Sequence, residues 1–143
     1  MATRALINIV QRQEGRSFSD TLKPSAIHTQ LHKQHDGHPS GLGVTLANYL
    51  QDYDIRNGIP NNYTGFQSPI ANGIGCLAAQ LVCYLKDKPG DIYLQPPQDK
   101  GWEDYVYYVW VKEDARIMIS IFDYEEVCIY VGDCESLIKK YKK

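Results

Sequence analysis

The chain has 143 residues, of which 43% are hydrophobic and 22% are charged, so residues 1–143 are expected to form one globular domain with its own apolar core. Its formal net charge of -2 argues against the strong basic field with which proteins bind long nucleic acids or membrane surfaces. No apolar run approaches the roughly 20 residues needed to span a bilayer, and no signal peptide is expected, which predicts a cytoplasmic protein. Eleven tyrosines are the one compositional excess.

The four cysteines lack the spacing of a metal site, because none forms a Cys-x-x-Cys pair. Cys76 and Cys83 lie about two turns apart on one predicted helix, too far for a disulfide with each other. The four cysteines are therefore predicted to be reduced core thiols, and neither a cofactor nor a metal is expected. They are Cys76, Cys83, Cys128 and Cys134.

The first two predicted strands, Thr3–Arg12 and Ala26–Gln34, alternate apolar and polar residues in the way that a half-buried sheet requires. If they pair as a hairpin with a long loop, their polar residues share one face of the sheet. That face is predicted either to hold an anion or to be the solvated side that antiparallel sheets commonly have. Its residues are Arg4, Asn8, Arg12, His28, Gln30 and His32.

The stretch from His35 to Gly43 lies between the second strand and the first predicted helix. Gly37 is predicted to adopt a positive φ, and Ser40 is predicted to cap the N-terminus of the helix. The first amides of such a helix carry the positive end of its dipole and can bind a phosphate. Two interpretations stay open, namely a tight corner whose polar side chains bond the backbone, or a ligand site. The candidate ligand residues are His35, Asp36, His38, Ser40 and Gly41.

The first helix is predicted over Ser40–Tyr53 and is followed by an irregular segment over Asp54–Phe66. Arg56 and Phe66 are candidate ligand residues of that segment, because a guanidinium binds phosphate and an aromatic ring stacks on a base. The alternative is that both side chains tether the loop to the core.

The second half of the chain predicts a deeply buried helix, four strands and a last helix. Ser68 is expected to cap the buried helix, which ends before the turn at Pro89-Gly90. Asp133 is expected to cap the C-terminal helix. The four strands are predicted over Ile92–Leu94, Asp104–Lys112, Arg116–Phe122 and Val127–Val131.

The two strands beside the turn at Glu113-Asp114 carry aromatic residues on both faces. Tyr108, Trp110 and Arg116 are candidate ligand residues, because purine rings stack on such surfaces with about 1–3 kcal/mol per base. Two alternatives stay open, since the rings could instead pack beneath a helix or form a contact between subunits. The aromatic excess on these strands predicts a homo-oligomer.

The stretch around Asp36-Gly37-His38-Pro39 resembles a motif of small phage and bacterial proteins that reads roughly His-x-Asp-Gly-Tyr-Pro-x-Gly-Leu-Gly. In this chain the residue between His35 and Asp36 is missing, and His38 takes the place of the tyrosine. The likeness continues into the opening strand, the aromatic hairpin and the closing helix. More remotely, the chain is similar in size and expected build to phage sponge proteins, such as the Thoeris anti-defence proteins, which sequester the cyclic nucleotide signals of bacterial immunity.

The pattern of elements predicts an α+β fold with a mostly antiparallel sheet, two main helices packed on one face and a short C-terminal helix. The resemblance implies a non-catalytic phage protein that evades immunity by sequestering a small nucleotide in the bacterial cytoplasm, either a cyclic oligonucleotide or a cyclic ADP-ribose isomer. Two alternatives stay open. One is a protein that binds and inhibits a host defence factor, and the other is a small hydrolase that uses His35, Asp36 or His38.

Overall fold

A computed structural model describes residues 2–11, 20–64 and 69–143, which contain eight strands and three α-helices. A short 3-10 turn over Pro24–Ala26 precedes the second strand, and a π-helical turn over Pro39–Gly43 precedes the first helix. The strands are β1 (Ala5–Val10), β2 (Ile27–Lys33), β3 (Asp54–Arg56), β4 (Ile70–Asn72), β5 (Ile92–Gln95), β6 (Tyr105–Val111), β7 (Ile117–Phe122) and β8 (Cys128–Asp133). The helices are α1 (Val44–Leu50), α2 (Gly73–Leu85) and α3 (Cys134–Tyr141).

Six strands form one sheet in the order β5-β2-β1-β6-β7-β8, and β3 pairs with β4 in a separate parallel ribbon. Within the large sheet only β1 and β6 run parallel, and the other neighbouring strands are antiparallel. All three helices pack on one face, where they share a core with β1, β6 and β7. The predicted α+β class, with a mostly antiparallel sheet and a short C-terminal helix, is therefore confirmed. Among the described residues, no helix is both long and apolar enough to cross a membrane.

Strand β1 is buried on both faces, so the sheet has no solvated side at its centre. The predicted pairing of the first two strands is confirmed, because Asn8 lies opposite Gln30 in an antiparallel register. The predicted polar surface is wrong for these two residues, because both are buried and the Gln30 side chain donates a hydrogen bond of 2.8 Å to Asn8 Oδ1. Among the other residues predicted for this polar face, Arg4 and His28 are exposed. Arg12 lies outside the described residues.

The aromatic residues on the second face of the sheet are also buried. Tyr108 and Phe122 pack edge to face with their ring centroids 5.5 Å apart, and Trp110 Nε1 donates a hydrogen bond of 2.9 Å to Ser120 Oγ. Leu22 lies over this face, and its backbone amide donates a hydrogen bond to the Tyr108 hydroxyl. The expectation that these rings form an exposed stacking surface is therefore wrong. Because the rings are buried, they also leave little surface area for the predicted contact between subunits.

Several predicted helix boundaries need correction. Ser40 lies inside the π-helical turn rather than at a cap, and α1 begins only at Val44, with no side chain capping it. Helix α2 begins at Gly73, because the three residues before it form β4, and Ser68 lies outside the described residues. The predicted cap of the last helix is confirmed, since Asp133 accepts the Ser136 amide at 2.8 Å.

The four cysteines are free thiols, but they differ in exposure. Cys134 is buried and burial raises the pKa of its thiol to about 12, so it behaves as the predicted core residue. Cys83 is exposed on α2, which corrects the prediction for that position. Cys76 and Cys128 are half-buried.

The corner before the π-helical turn is fixed by contact with β1 rather than by a positive φ at Gly37. Asp36 adopts the positive φ, at 57°, and Asp is one of the residues that tolerate this region. Gly37 donates its amide to the Thr3 carbonyl at 2.9 Å, and a Cβ at this position would lie 2.8 Å from the Ala5 Cβ. The corner therefore requires glycine for close packing.

We expect Gly37→Val to lower the thermal melting temperature strongly and His38→Ala to lower it little. Overpacking a rigid buried site costs about 1–3 kcal/mol and sometimes more, and the neighbours here are backbone and a strand Cβ that cannot rotate away. The His38 side chain is half-buried and forms no hydrogen bond with any described residue. Thermal unfolding followed by circular dichroism measures both variants, with Gly37→Ala as the smallest steric test. Equal melting temperatures for Gly37→Val and His38→Ala would contradict this account.

Candidate functional site

A cleft of about 590 Å³ lies between the end of β2, the corner that follows it and the connection from α2 to β5. Asp36, His38 and Gly41 line one wall, and Tyr84, Asp87 and Lys88 line the opposite wall. The structure therefore brings three of the ten sequence-predicted ligand residues together in one cavity. It adds a wall from the end of α2 that the sequence analysis did not include.

Asp91 holds the two walls of the cleft at a fixed distance. Its Oδ2 accepts a hydrogen bond from Lys33 Nζ at 2.6 Å, and its Oδ1 accepts the His35 amide at 3.0 Å. Its carbonyl oxygen accepts the Gln34 amide at 2.7 Å, and its backbone adopts a positive φ of 64°. One residue of the α2–β5 connection is thus bonded three times to the end of β2.

The charge of Asp91 is stabilised by the same contacts. Partial burial would raise the pKa of this carboxyl, but the hydrogen bond and the positive charge of Lys33 outweigh burial, and the His35 amide adds to them. The pKa of Asp91 is therefore below its ordinary value. Asp91 remains ionised at neutral pH and compensates the charge of Lys33 at the base of the cleft.

His38 lies against the backbone of the π-helical turn. Its Nε2 is 3.1 Å from the position that a Cβ on Gly41 would occupy, so glycine makes room for the imidazole. The Gly41 amide donates to the His38 carbonyl at 3.0 Å. That amide is already bonded, so the expectation of a phosphate on free helix amides is wrong at Gly41.

Tyr84 supplies an aromatic ring at the mouth of the cleft. The side chain is 47% exposed, and its ring stacks on Tyr49 with 3.9 Å between centroids and 13° between planes. Tyr49 is held in turn by hydrogen bonds to the Tyr53 hydroxyl at 2.8 Å and the Gln80 carbonyl at 3.2 Å. Burial raises the pKa of Tyr49, so its phenol stays protonated and keeps donating. The ring of Tyr84 is thus presented on a rigid support.

The charges of the cleft are mixed rather than uniformly positive. Lys33 is paired with Asp91, whereas Lys88 and Asp87 make no ion pair or hydrogen bond with any residue that the structure describes. Lys86 lies beside the cleft but donates to the carbonyls of Gly90 and Ile92, both at 2.8 Å, and so has a structural role. A ligand in the cleft would meet Lys88 and His38 as its available cationic or donor groups.

The other sequence-predicted ligand residues lie elsewhere. Arg56 on β3 is exposed and bonds Asp54 at 2.7 Å, and Arg116 before β7 bonds Asp114 at 3.2 Å and lies 3.7 Å from an Asp133 oxygen. Neither arginine lines the cleft. The remaining candidates are His35 and Ser40, which lie in the corner outside the lining, Tyr108 and Trp110, which are buried, and Phe66, which lies outside the described residues.

The histidines and the aspartate of the corner are not arranged as a catalytic pair. In the described part of the chain, no hydrogen bond joins the side chains of His35, Asp36 and His38 to one another. The same residues contain no group of three or more His, Cys, Asp or Glu side chains placed to hold a metal ion.

Comparisons with protein-family models, with curated proteins and with solved structures gave no match to this chain. Tyr84 was missed by sequence reasoning because nothing in the sequence shows that its ring on α2 stacks on Tyr49 of α1. The one local signal was the spacing of Tyr49 on α1 and Tyr53 just after it, which predicts that these two rings meet.

We expect Asp91→Asn to lower the free energy of unfolding at neutral pH. The variant should also lose less stability than wild type does when the pH falls. The pKa of Asp91 is lowered by folding, so its contribution is present above the unfolded pKa of about 3.9 and is lost as the pH falls through the folded pKa. Hydrogen bonds to charged groups contribute about 1.5–3 kcal/mol, and both partners of this one are largely shielded from solvent. Asparagine tolerates the positive φ and can still accept the His35 amide, but its NH2 group replaces the oxygen that accepts Lys33, so the variant removes the charge and the Lys33 hydrogen bond together.

The measurement is urea unfolding at pH 7 and at pH 3. Wild type should lose more stability than Asp91→Asn between these two pH values. Asp114→Asn is the matched control, because Asp114 pairs with Arg116 on the surface and its loss should matter less at either pH. If wild type and Asp91→Asn lost the same free energy of unfolding between pH 7 and pH 3, the charge of Asp91 would not contribute to folding stability.

Proposed function

We propose that this protein binds and sequesters a small nucleotide signal without converting it, and that it acts as a phage anti-defence protein in the cytoplasm of a bacterial host. The observation that carries the proposal is the cleft, which is lined by an exposed and supported aromatic ring, Tyr84, by the donor groups of His38 and Lys88, and by the carboxylates of Asp36 and Asp87. A nucleotide can use all three kinds of group, because its base stacks on an aromatic ring, its phosphate accepts hydrogen bonds from donors and its ribose hydroxyls donate to carboxylates.

The size of the cleft supports a ligand of this class. Its volume of about 590 Å³ lies within the range of about 300–1,000 Å³ that is usual for small-molecule sites. In the proposed complex the base stacks on Tyr84, a phosphate accepts hydrogen bonds from His38 and Lys88, and ribose hydroxyls donate to Asp36 or Asp87. The choice of a cyclic oligonucleotide or a cyclic ADP-ribose isomer comes from the more remote resemblance, in size and expected build, to the phage sponge proteins described above.

Binding is favoured over hydrolysis by the arrangement of the corner. The three side chains that a hydrolase would use, His35, Asp36 and His38, make no hydrogen bond to one another, and the described residues offer no metal cluster that would activate water. Asp91 meanwhile fixes the spacing of the walls, and a preformed cleft lowers the entropic cost of holding a ligand.

We expect Tyr84→Ala and Lys88→Ala each to weaken ligand binding by about tenfold, because each removes one stacking or charge-assisted contact. Calorimetric titration of cyclic dinucleotides, cyclic trinucleotides and cyclic ADP-ribose isomers into wild type and variants measures the dissociation constants. Tyr93→Ala and Lys142→Ala are matched controls of the same residue types outside the lining of the cleft and should bind as wild type does. Arg56→Ala and Arg116→Ala should also leave the affinity unchanged, because neither side chain lines the cleft.

Native mass spectrometry of freshly purified protein separates the remaining alternatives. Release of an unaltered nucleotide after denaturation supports sequestration, whereas release of a cleaved product supports the hydrolase. A co-purified host protein with an empty cleft supports the inhibitor. The same spectrum counts subunits and so tests the predicted homo-oligomer. If wild type binds none of the titrated nucleotides, the sequestration proposal fails.

A further inference from the structure

A second concave surface lies where β1 and β6 begin, and we call it the Trp102 groove. Arg4, Trp102, Tyr105 and Tyr124 line it, and its volume is about 580 Å³. Trp102 is 89% exposed and Tyr124 is 65% exposed. Clustered exposed aromatic rings of this size are characteristic of recognition surfaces, because tryptophan and tyrosine are otherwise largely buried. The groove shares no lining residue with the cleft beside the corner.

The backbone around the groove is held by hydrogen bonds between its separate segments. The Arg4 amide donates to Asp104 Oδ2 at 3.0 Å, and the Arg4 carbonyl accepts the amides of Asp104 at 2.9 Å and Tyr105 at 3.2 Å. On the other side, Asp123 Oδ1 accepts the amides of the turn that carries Tyr124, at 2.9 Å from Glu125 and 3.0 Å from Val127. The backbone beside Tyr105 and Tyr124 is therefore held in place, which lowers the cost of binding.

The Arg4 guanidinium is available for a ligand. It makes no hydrogen bond or ion pair with any residue in the described ranges, although the Asp104 carboxylate, which accepts the Arg4 amide, also lines the groove. An exposed guanidinium beside aromatic rings binds planar anions well, because it forms paired hydrogen bonds and stacks on rings.

We propose that the Trp102 groove binds a planar aromatic ring that carries an anionic group, of the class represented by a nucleoside monophosphate. The ring packs against Trp102 and Tyr124, and the anion accepts hydrogen bonds from Arg4. This site does not depend on the proposed function of the corner cleft, because the two surfaces have no residue in common. Binding here forms and breaks no covalent bond.

The chain contains a reporter for this site. It has two tryptophans, and Trp110 is fully buried whereas Trp102 is 89% exposed. Quenching of tryptophan fluorescence by acrylamide therefore reports mainly on Trp102. Trp102→Phe leaves only Trp110 and should remove most of the quenching.

The experiment measures how far adenosine monophosphate, adenosine and ribose 5-phosphate protect Trp102 from acrylamide. Adenosine monophosphate should protect it, adenosine should require about tenfold higher concentration, and ribose 5-phosphate should give no protection. Arg4→Gln should remove the advantage of the monophosphate over adenosine, and Tyr124→Ala should weaken both. Arg116→Gln is the matched control for Arg4. The separate variants Tyr84→Ala and Lys88→Ala test whether this binding is independent of the corner cleft. All three of these variants should behave as wild type does.

Three results would overturn the proposal. The first is an absence of protection by adenosine monophosphate at millimolar concentration in wild type. The second is protection that rises with protein concentration in the absence of ligand, because Trp102 would then lie in a contact between copies of this chain. Loss of protection in Tyr84→Ala would likewise overturn the assignment to this groove and transfer the binding to the corner cleft.

Discussion

The position of the corner depends on one buried hydrogen bond, in which the Tyr107 hydroxyl donates to the Gly37 carbonyl at 2.7 Å. Burial raises the pKa of Tyr107, so the phenol remains a donor at any physiological pH. Because the Gly37 amide is bonded to Thr3 at the same time, both polar groups of this peptide segment are anchored to the sheet. The wall that carries Asp36, His38 and Gly41 is thereby fixed to the two central parallel strands.

The opposite wall is fixed by different means. Asp91 bonds the end of β2, while the stacked rings of Tyr84 and Tyr49 join α2 to α1. One wall thus rests on backbone hydrogen bonds, and the other rests on an ion pair and ring packing. The cleft is built between elements that the fold already requires, and its shape does not depend on a ligand.

Sequence reasoning succeeded where the signal is local. Alternation predicted the strands that contain Ile7, Leu31 and Ile119, and an aspartate followed by a helical pattern predicted the cap at Asp133. It failed where two distant segments decide the outcome. Asn8 and Gln30 have the pattern of a solvated face, yet they bond each other beneath a covering segment, and no local pattern reveals that cover.

The candidate site shows the same division. The corner was recognised from its glycines and its proline, but the residue with positive φ is Asp36, because contact with β1 determines the backbone at Gly37. The residues that had been assigned to the first turn of α2 form β4 instead, which pairs with β3. Tyr84 and Trp102 became visible only through packing and exposure, and these are properties of the whole fold rather than of a short sequence window.

The parallel pairing of β1 with β6 has a consequence for synthesis on the ribosome. Ala5 pairs with Tyr105, so β1 can complete its pairing only after the distant strand β6 has been translated. Until then the β1–β2 hairpin keeps one long, strongly apolar edge without its neighbour, and such edges template association between nascent chains. Closing so large a loop also slows folding, because its entropy is lost before the contacts of the sheet compensate for it. Chaperone demand and expression temperature should therefore govern the yield of this small protein more strongly than its final stability does.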